Sequence, residues 1–148
     1  MTPQAVLVEL LNRIAAQNGD AVLIGATELA QWPLAATNTL KTTQLLTAAS
    51  PARSAVCPGC EQECTMPVEV LPASGARLAQ AFIVCDKRSD VNRVALPLES
   101  LSQWQSSGEA FAEFLRAQLE IPGAVTRAAA HGVWRIGVFR GGKQSAHL

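Results

Sequence analysis

The sequence predicts an α+β protein. Three observations carry that expectation: apolar residues recur at helical spacing through the first 46 residues, short apolar runs bounded by turn residues replace them from Val56 to Cys85, and helical spacing returns around Phe111 before a final alternating stretch. At 148 residues and 49% hydrophobic, the chain can bury one core or two small units sharing an interface. Its longest apolar runs, Ala21 to Ile24 and Ala81 to Cys85, are strand-sized, well short of the roughly 18 residues of a membrane span. Thr2-Pro3 before an amphipathic segment also differs from the basic start and apolar centre of a signal peptide. No membrane association and a cytoplasmic, reducing location are therefore expected. Twelve basic and twelve acidic residues cancel, which argues against a protein that coats nucleic acid by long-range attraction.

Each element has a local cause. Thr2 can cap a helix with Pro3 in its first turn, and Val6, Leu7, Leu10, Leu11 and Ile14 form its apolar side until Asn18-Gly19 stops it. Ala21-Val22-Leu23-Ile24 reads as a strand or buried connector broken by Gly25. Thr27 offers a cap for a short helix through Glu28, Leu29 and Ala30, which the Trp32-Pro33 pair ends. A third helix fits residues 34–46, with Ala36, Leu40 and Leu45/Leu46 inward and Thr37, Asn38, Lys41, Thr42 and Gln44 on its other face.

Three helices followed by Ser50-Pro51 and a strand containing Val56 is the order of a winged helix-turn-helix unit. The stretch ATELAQWPLAATNTLKTTQLL resembles winged helix-turn-helix regulators, in which a Glu-Leu-Ala-type second helix, a turn and a helix ending in paired leucines recur. Gln44 stands where those regulators usually carry a glycine before the paired apolar residues. The resemblance covers about residues 5–56. It implies binding to double-stranded DNA, with Thr37, Asn38, Lys41, Thr42 and Gln44 supplying amide, hydroxyl and ammonium groups for base edges and phosphates.

The chemistry-bearing pattern is VCPGCEQEC. Two residues between Cys57 and Cys60 permit a tight turn that aims both sulfurs at one ion, Cys64 follows after three residues, and Cys85 after twenty more. Four thiolates close a tetrahedral shell with no open position for catalytic water, so the set Cys57, Cys60, Cys64 and Cys85 points to structural Zn2+. The spacing matches neither bacterial nor plant-type ferredoxins, which disfavours an iron–sulfur cluster. Pro58-Gly59 and the acidic Glu61 and Glu63 supply neither the helix N-terminus nor the positive potential of a redox pair. The pattern resembles zinc-ribbon and zinc-knuckle modules over about residues 56–88.

Downstream, Val68 to Leu71 and Phe82 to Cys85 read as strands joined by Pro72-Ala73-Ser74-Gly75, a hairpin that returns Cys85 to the other thiols. Asp86-Lys87-Arg88-Ser89-Asp90, with Arg93, reads as a solvated loop at the metal end. Pro97 opens a helical stretch with Leu98, Leu101 and Trp104. Ser106 and Glu109 form a capping box before Ala110, Phe111, Phe114, Leu115 and Leu119. Trp134, Ile136 and Val138 alternate ahead of Gly141-Gly142, predicting a C-terminal β-hairpin whose second strand runs to Ala146-His147-Leu148. Trp32, Trp104 and Trp134 are expected in packing. His131 and His147, the only histidines, leave a Cys/His/acid constellation little to draw on, and no enzyme motif appears.

The expected division is a winged helix-turn-helix-like unit over 1–56, a four-cysteine, zinc-stapled hairpin module over 57–96, and an amphipathic helix plus C-terminal hairpin over 97–148. The expected function is a zinc-stabilised, DNA-binding transcription-regulator-like protein. The alternative is a zinc-stabilised protein-interaction module that does not bind nucleic acid; a protein partner or a homodimer is compatible with either reading.

Overall fold

The structure is a computed structural model and describes residues 1–87, 90, 92–130 and 132–137. In chain order its elements are α1 (Pro3–Ala16), β1 (Val22–Gly25), α2 (Ala26–Leu29), α3 (Leu34–Thr42), β2 (Thr47–Ala49), β3 (Ser54–Val56), β4 (Thr65–Pro67), β5 (Glu69–Leu71), β6 (Gln80–Ile83), β7 (Val94–Leu96), a 3-10 turn (Leu98–Leu101), β8 (Gln103–Ser106), α4 (Gly108–Gln118), β9 (Thr126–Arg127) and β10 (Trp134–Arg135). The fold is mixed α+β. The chain forms two compact units, the first from Met1–Val22, Pro33–Thr47 and the chain from Ser106 onward, the second from Leu23–Trp32 and Ala48–Gln105.

In the first unit, α1 starts where the Thr2 hydroxyl accepts the Ala5 N–H at 3.2 Å, and Val6, Leu10 and Ile14 bury one stripe of it. Its end is a Schellman turn: Asn18 is left-handed at φ 55°, the Gly19 N–H donates to the Ile14 carbonyl at 2.8 Å, and the Asn18 N–H donates to that of Ala15 at 3.0 Å. α3 stops in a related way. Gln44 sits at φ 60°, and the Leu46 N–H reaches back to the Leu40 carbonyl at 3.0 Å, which turns Leu45 and Leu46 into the core. α4 begins where the Ser107 hydroxyl accepts the Ala110 N–H and ends at Glu120, φ 51°, with the Ile121 N–H on the Arg116 carbonyl at 3.0 Å. The Arg116 guanidinium binds the Ile121 carbonyl at 2.9 Å and Glu113 at 2.8 Å, and its hydrogen bond holds the Glu113 carboxyl below the usual range. β9 and β10 pair antiparallel, Arg127 opposite Trp134. Arg127 lies over the Trp134 ring, pairs with Asp20 at 2.6 Å and donates to the Asn18 carbonyl.

In the second unit, β3 and β4 form an antiparallel hairpin in the register Ser54–Pro67, Ala55–Met66, Val56–Thr65. β5, β6 and β7 form an antiparallel sheet with β6 central; Phe82 stands opposite both Glu69 and Ala95. A further three-stranded sheet has the order β1–β8–β2, and α2 packs on the 3-10 turn, with Leu29, Trp32 and Leu101 buried.

Several expectations shift. The helical stretch expected from Pro97 through Trp104 is a single 3-10 turn, because Ser102 is extended (φ −61°, ψ 134°) and the chain then enters β8 with Trp104 in it. Since β8 runs through Ser106, that residue is buried in the strand and Ser107 caps α4 instead. Gly25, which has no side chain to offer, occupies the N-cap position of α2, leaving Thr27 inside the helix. α3 ends at Thr42 rather than residue 46, because Gln44 adopts the left-handed conformation. The strand expected to reach Cys85 ends at Ile83. Val138, the Gly141-Gly142 turn, His131 and His147 lie outside the described residues, as do Arg88 and Ser89.

Candidate metal centre

The β3–β4 hairpin brings the first thiols together. One residue beyond Val56, the Cys57 N–H donates to the Cys64 carbonyl at 2.9 Å, extending the ladder, while the Glu63 N–H donates to the Cys60 carbonyl at 3.0 Å. Gly59 at φ 83° and Glu63 at φ 45° supply the left-handed turns of this tip. The chain leaves Cys64 through β4 and β5, turns back, and reaches Cys85 two residues after β6. Past the strand end, Cys85 is buried like Ile83, while Val84 between them is exposed.

The four sulfurs all lie within 4.8 Å of one another, with Cys64 Sγ 3.2 Å from Cys85 Sγ and 3.4 Å from Cys60 Sγ. None is in a disulfide. A tetrahedral thiolate shell with metal–sulfur bonds of about 2.3 Å has edges of about 3.8 Å, so the cluster has the dimensions to hold a metal ion. Its floor is apolar: Cys57, Cys60, Ile83 and Cys85 share one buried cluster flanked by Ala55, Met66, Val68, Val94 and Leu96.

The thiols are electrostatically unequal. The Cys64 backbone N–H, the Cys64 thiol and the Gln62 N–H favour a thiolate on Cys60, lowering it to about 7. Cys64 shares a hydrogen bond with Cys85 and is partly desolvated, which pushes it up to about 12. Burial is the main cause that raises Cys57. The site thus sets a readily formed thiolate at Cys60 beside the raised thiols of Cys57 and Cys64, which a bound cation would have to deprotonate.

No family model, curated protein or solved structure matches the chain. Among the described residues, no helix is long and apolar enough to cross a membrane.

The other expected site lies on α3, in the first unit. Asn38, Lys41 and Thr42 are exposed at i, i+3 and i+4 spacing on one side of the helix, and Gln44 is exposed just beyond its end. Thr37 departs from the expectation: it is 6% exposed, and its Oγ1 has no hydrogen-bond partner. Its place beside Ala36 and Leu40 on the packed side removes it from the outer face. Sequence reasoning missed the apolar support of the thiols. Ile83 was the available signal, since i, i+2 spacing puts it on the same side of the strand as Cys85.

Proposed function

We propose that Cys57, Cys60, Cys64 and Cys85 hold one structural zinc ion, and that the protein is a zinc-stabilised, non-enzymatic regulator that binds duplex DNA through the exposed side of α3. The observation that carries the zinc assignment is the convergence of four sulfurs, and only sulfurs, within 4.8 Å. An all-thiolate tetrahedral donor set suits zinc and leaves no position for a reacting water. Reduced thiols of this kind fit a cytoplasmic setting. Zinc cross-links the β3–β4 tip to the end of β6, and its binding free energy adds to the stability of a unit whose strands are only three or four residues long.

The DNA assignment rests on the shared exposure of Asn38, Lys41, Thr42 and Gln44. Asparagine and glutamine can address adenine edges, and lysine a phosphate or guanine. Elemental analysis of the purified chain tests the first part: one zinc per chain is expected, and iron with visible absorption defeats it. Polarisation titrations of zinc-loaded protein on random and mixed duplexes at two salt concentrations test the second. No duplex binding at low salt shifts the reading to a protein-interaction module, which the zero net charge and the exposed Leu115 and Leu119 of α4 favour.

A further inference from the structure

We infer that hydroperoxides exchange the zinc staple for a disulfide between Cys64 and Cys85, so that under oxidation the second unit gives up its metal and keeps its cross-link. The inference rests on the zinc reading above. Cys57, Cys60 and Cys85 are buried, and Cys64 is the one partly exposed member of the set, so an oxidant arriving from solvent meets its sulfur first. From there Cys85 Sγ is 3.2 Å away and Cys60 Sγ 3.4 Å, and either pair must close to a bond of about 2.05 Å. The backbone decides between them. Cys60 and Cys64 belong to one tight turn, in which the Cys60 carbonyl accepts the Glu63 N–H at 3.0 Å, the Cys64 carbonyl accepts the Cys57 N–H at 2.9 Å, and Glu63 is left-handed at φ 45°. Drawing those two sulfurs together works against both hydrogen bonds. Cys85 instead lies two residues past the end of β6 and outside any strand, so it can close the gap without moving a paired strand.

The electrons balance with hydrogen peroxide as the oxidant. The Cys64 thiolate attacks one peroxide oxygen, the O–O bond breaks, and the departing hydroxide takes a proton to become water, leaving Cys64 as a sulfenic acid. The Cys85 thiolate then attacks Cys64 Sγ; the S–S bond forms, the S–O bond breaks, and the second hydroxide leaves as water with another proton. Two thiolates, one peroxide and two protons thus become one disulfide and two waters. Cys57 and Cys60 are left as two ligands of a set of four, too few to close a tetrahedral shell. A disulfide within Cys57, Cys60 and Cys64 would stay inside the β3–β4 tip, whereas Cys64–Cys85 ties that tip to the chain leaving β6, the same connection that zinc makes. It also encloses twenty residues, and a cross-link that closes a longer loop restrains the unfolded chain more.

The test treats the zinc-loaded full chain with graded hydrogen peroxide, reads released zinc with a chromogenic indicator, and maps disulfides by mass spectrometry after the remaining thiols are alkylated. One zinc released per disulfide is expected, with Cys64–Cys85 as the first pair formed and zinc retaken after reduction. The oxidised, zinc-free chain should melt above the reduced chain in chelator. Cys57→Ser, which keeps both partners, should still form the pair, and Cys85→Ser should gain no stability on oxidation. A first disulfide within the tip overturns the inference, as does zinc loss with no disulfide, zinc retained at excess peroxide, or an oxidised chain that melts no higher than the chelated one. These wild-type measurements decide the matter even where a variant fails to fold. Absence of zinc before peroxide is added defeats the zinc reading and the exchange with it; zinc present at the start with any of the contrary outcomes defeats the exchange alone.

Discussion

A β-carbon on Gly108 would stand 2.5 Å from the indole Nε1 of Trp134, and 3.1 Å from the Gly19 carbonyl oxygen that the Gly108 N–H binds at 2.9 Å. The first residue of α4 is therefore glycine for reasons of space, not of backbone freedom. Gly108→Ala should destabilise the first unit by about 1–3 kcal/mol, the usual range for overpacking. In a Trp134→Phe background the same substitution should cost less, because the crowded atom is gone. Urea midpoints of the four proteins in that cycle measure the coupling, and equal costs in both backgrounds would refute the contact as the cause.

Gln44 occupies a left-handed backbone position at φ 60°, where the Cβ of any residue but glycine is crowded. Gln44→Gly should stabilise the protein by about 1 kcal/mol, part of the relief being offset by the flexibility glycine adds to the unfolded chain. A raised thermal midpoint checks it; an unchanged or lowered one shows that the side chain contributes more than the strain removes.

On α3 the effects should separate by position. Lys41→Ala should weaken duplex binding on every sequence and lower the salt slope by about 1. Asn38→Ala should chiefly relax preference among sequences. Thr37→Val, which replaces a buried and unpartnered hydroxyl, should leave binding unchanged and raise stability by about 1 kcal/mol. Polarisation titrations and urea melts on the same samples distinguish the outcomes; loss of binding in Thr37→Val would place that residue in the interface after all.

At the thiols, Cys60→Ser should abolish stoichiometric zinc and lower the thermal midpoint, and a chelator should reproduce the shift in the wild type. Cys57 and Cys64 are raised and hold their protons at neutral pH, so zinc binding should release protons from both and tighten as pH rises. Without metal the signs differ by residue. Cys60, lowered from 9.0 to about 7, contributes stability above pH 9 that is lost as pH falls toward 7. Cys64, raised from 9.0 to about 12, contributes below pH 9 and loses that contribution as pH rises toward 12. Metal-free stability from this site should therefore peak near pH 9. Urea midpoints in chelator and reductant across that range test it, and a monotonic profile would contradict the assignment.

What was legible in the sequence was local. α1 follows from Thr2, Pro3 and an apolar stripe within one helix, and it lies where those residues place it. The four cysteines converge because a tight turn and a hairpin suffice to gather them. Trp104 and Thr37 were harder. Trp104 belongs to a strand whose partners, β1 and β2, lie more than fifty residues upstream, and such pairing leaves no periodic trace near the residue itself. Thr37 is polar in composition, yet it sits beside Ala36 and Leu40 on the packed side of its helix. The chain passes between the two units at four places, and of these only Trp32-Pro33 carries a local signal, a proline; nothing in the composition changes at Val22-Leu23, Thr47-Ala48 or Gln105-Ser106.

The hairpin between Cys64 and Cys85 makes the last ligand spacing elastic. Its strands β5 and β6 are held in register by their ladder, and its tip, where Ser74 and Arg77 exchange hydrogen bonds at 3.0 Å, is exposed. Residues added in pairs at that tip lengthen the ladder without moving either thiol, and doubling the loop costs only about 0.6 kcal/mol in closure entropy. Only the Cys57–Cys60–Cys64 spacing is rigid. The turn at Ser74–Arg77 is thus the natural point at which to insert a peptide tag or a fluorophore, or to open the chain in a circular permutant, while keeping the sulfur cage intact.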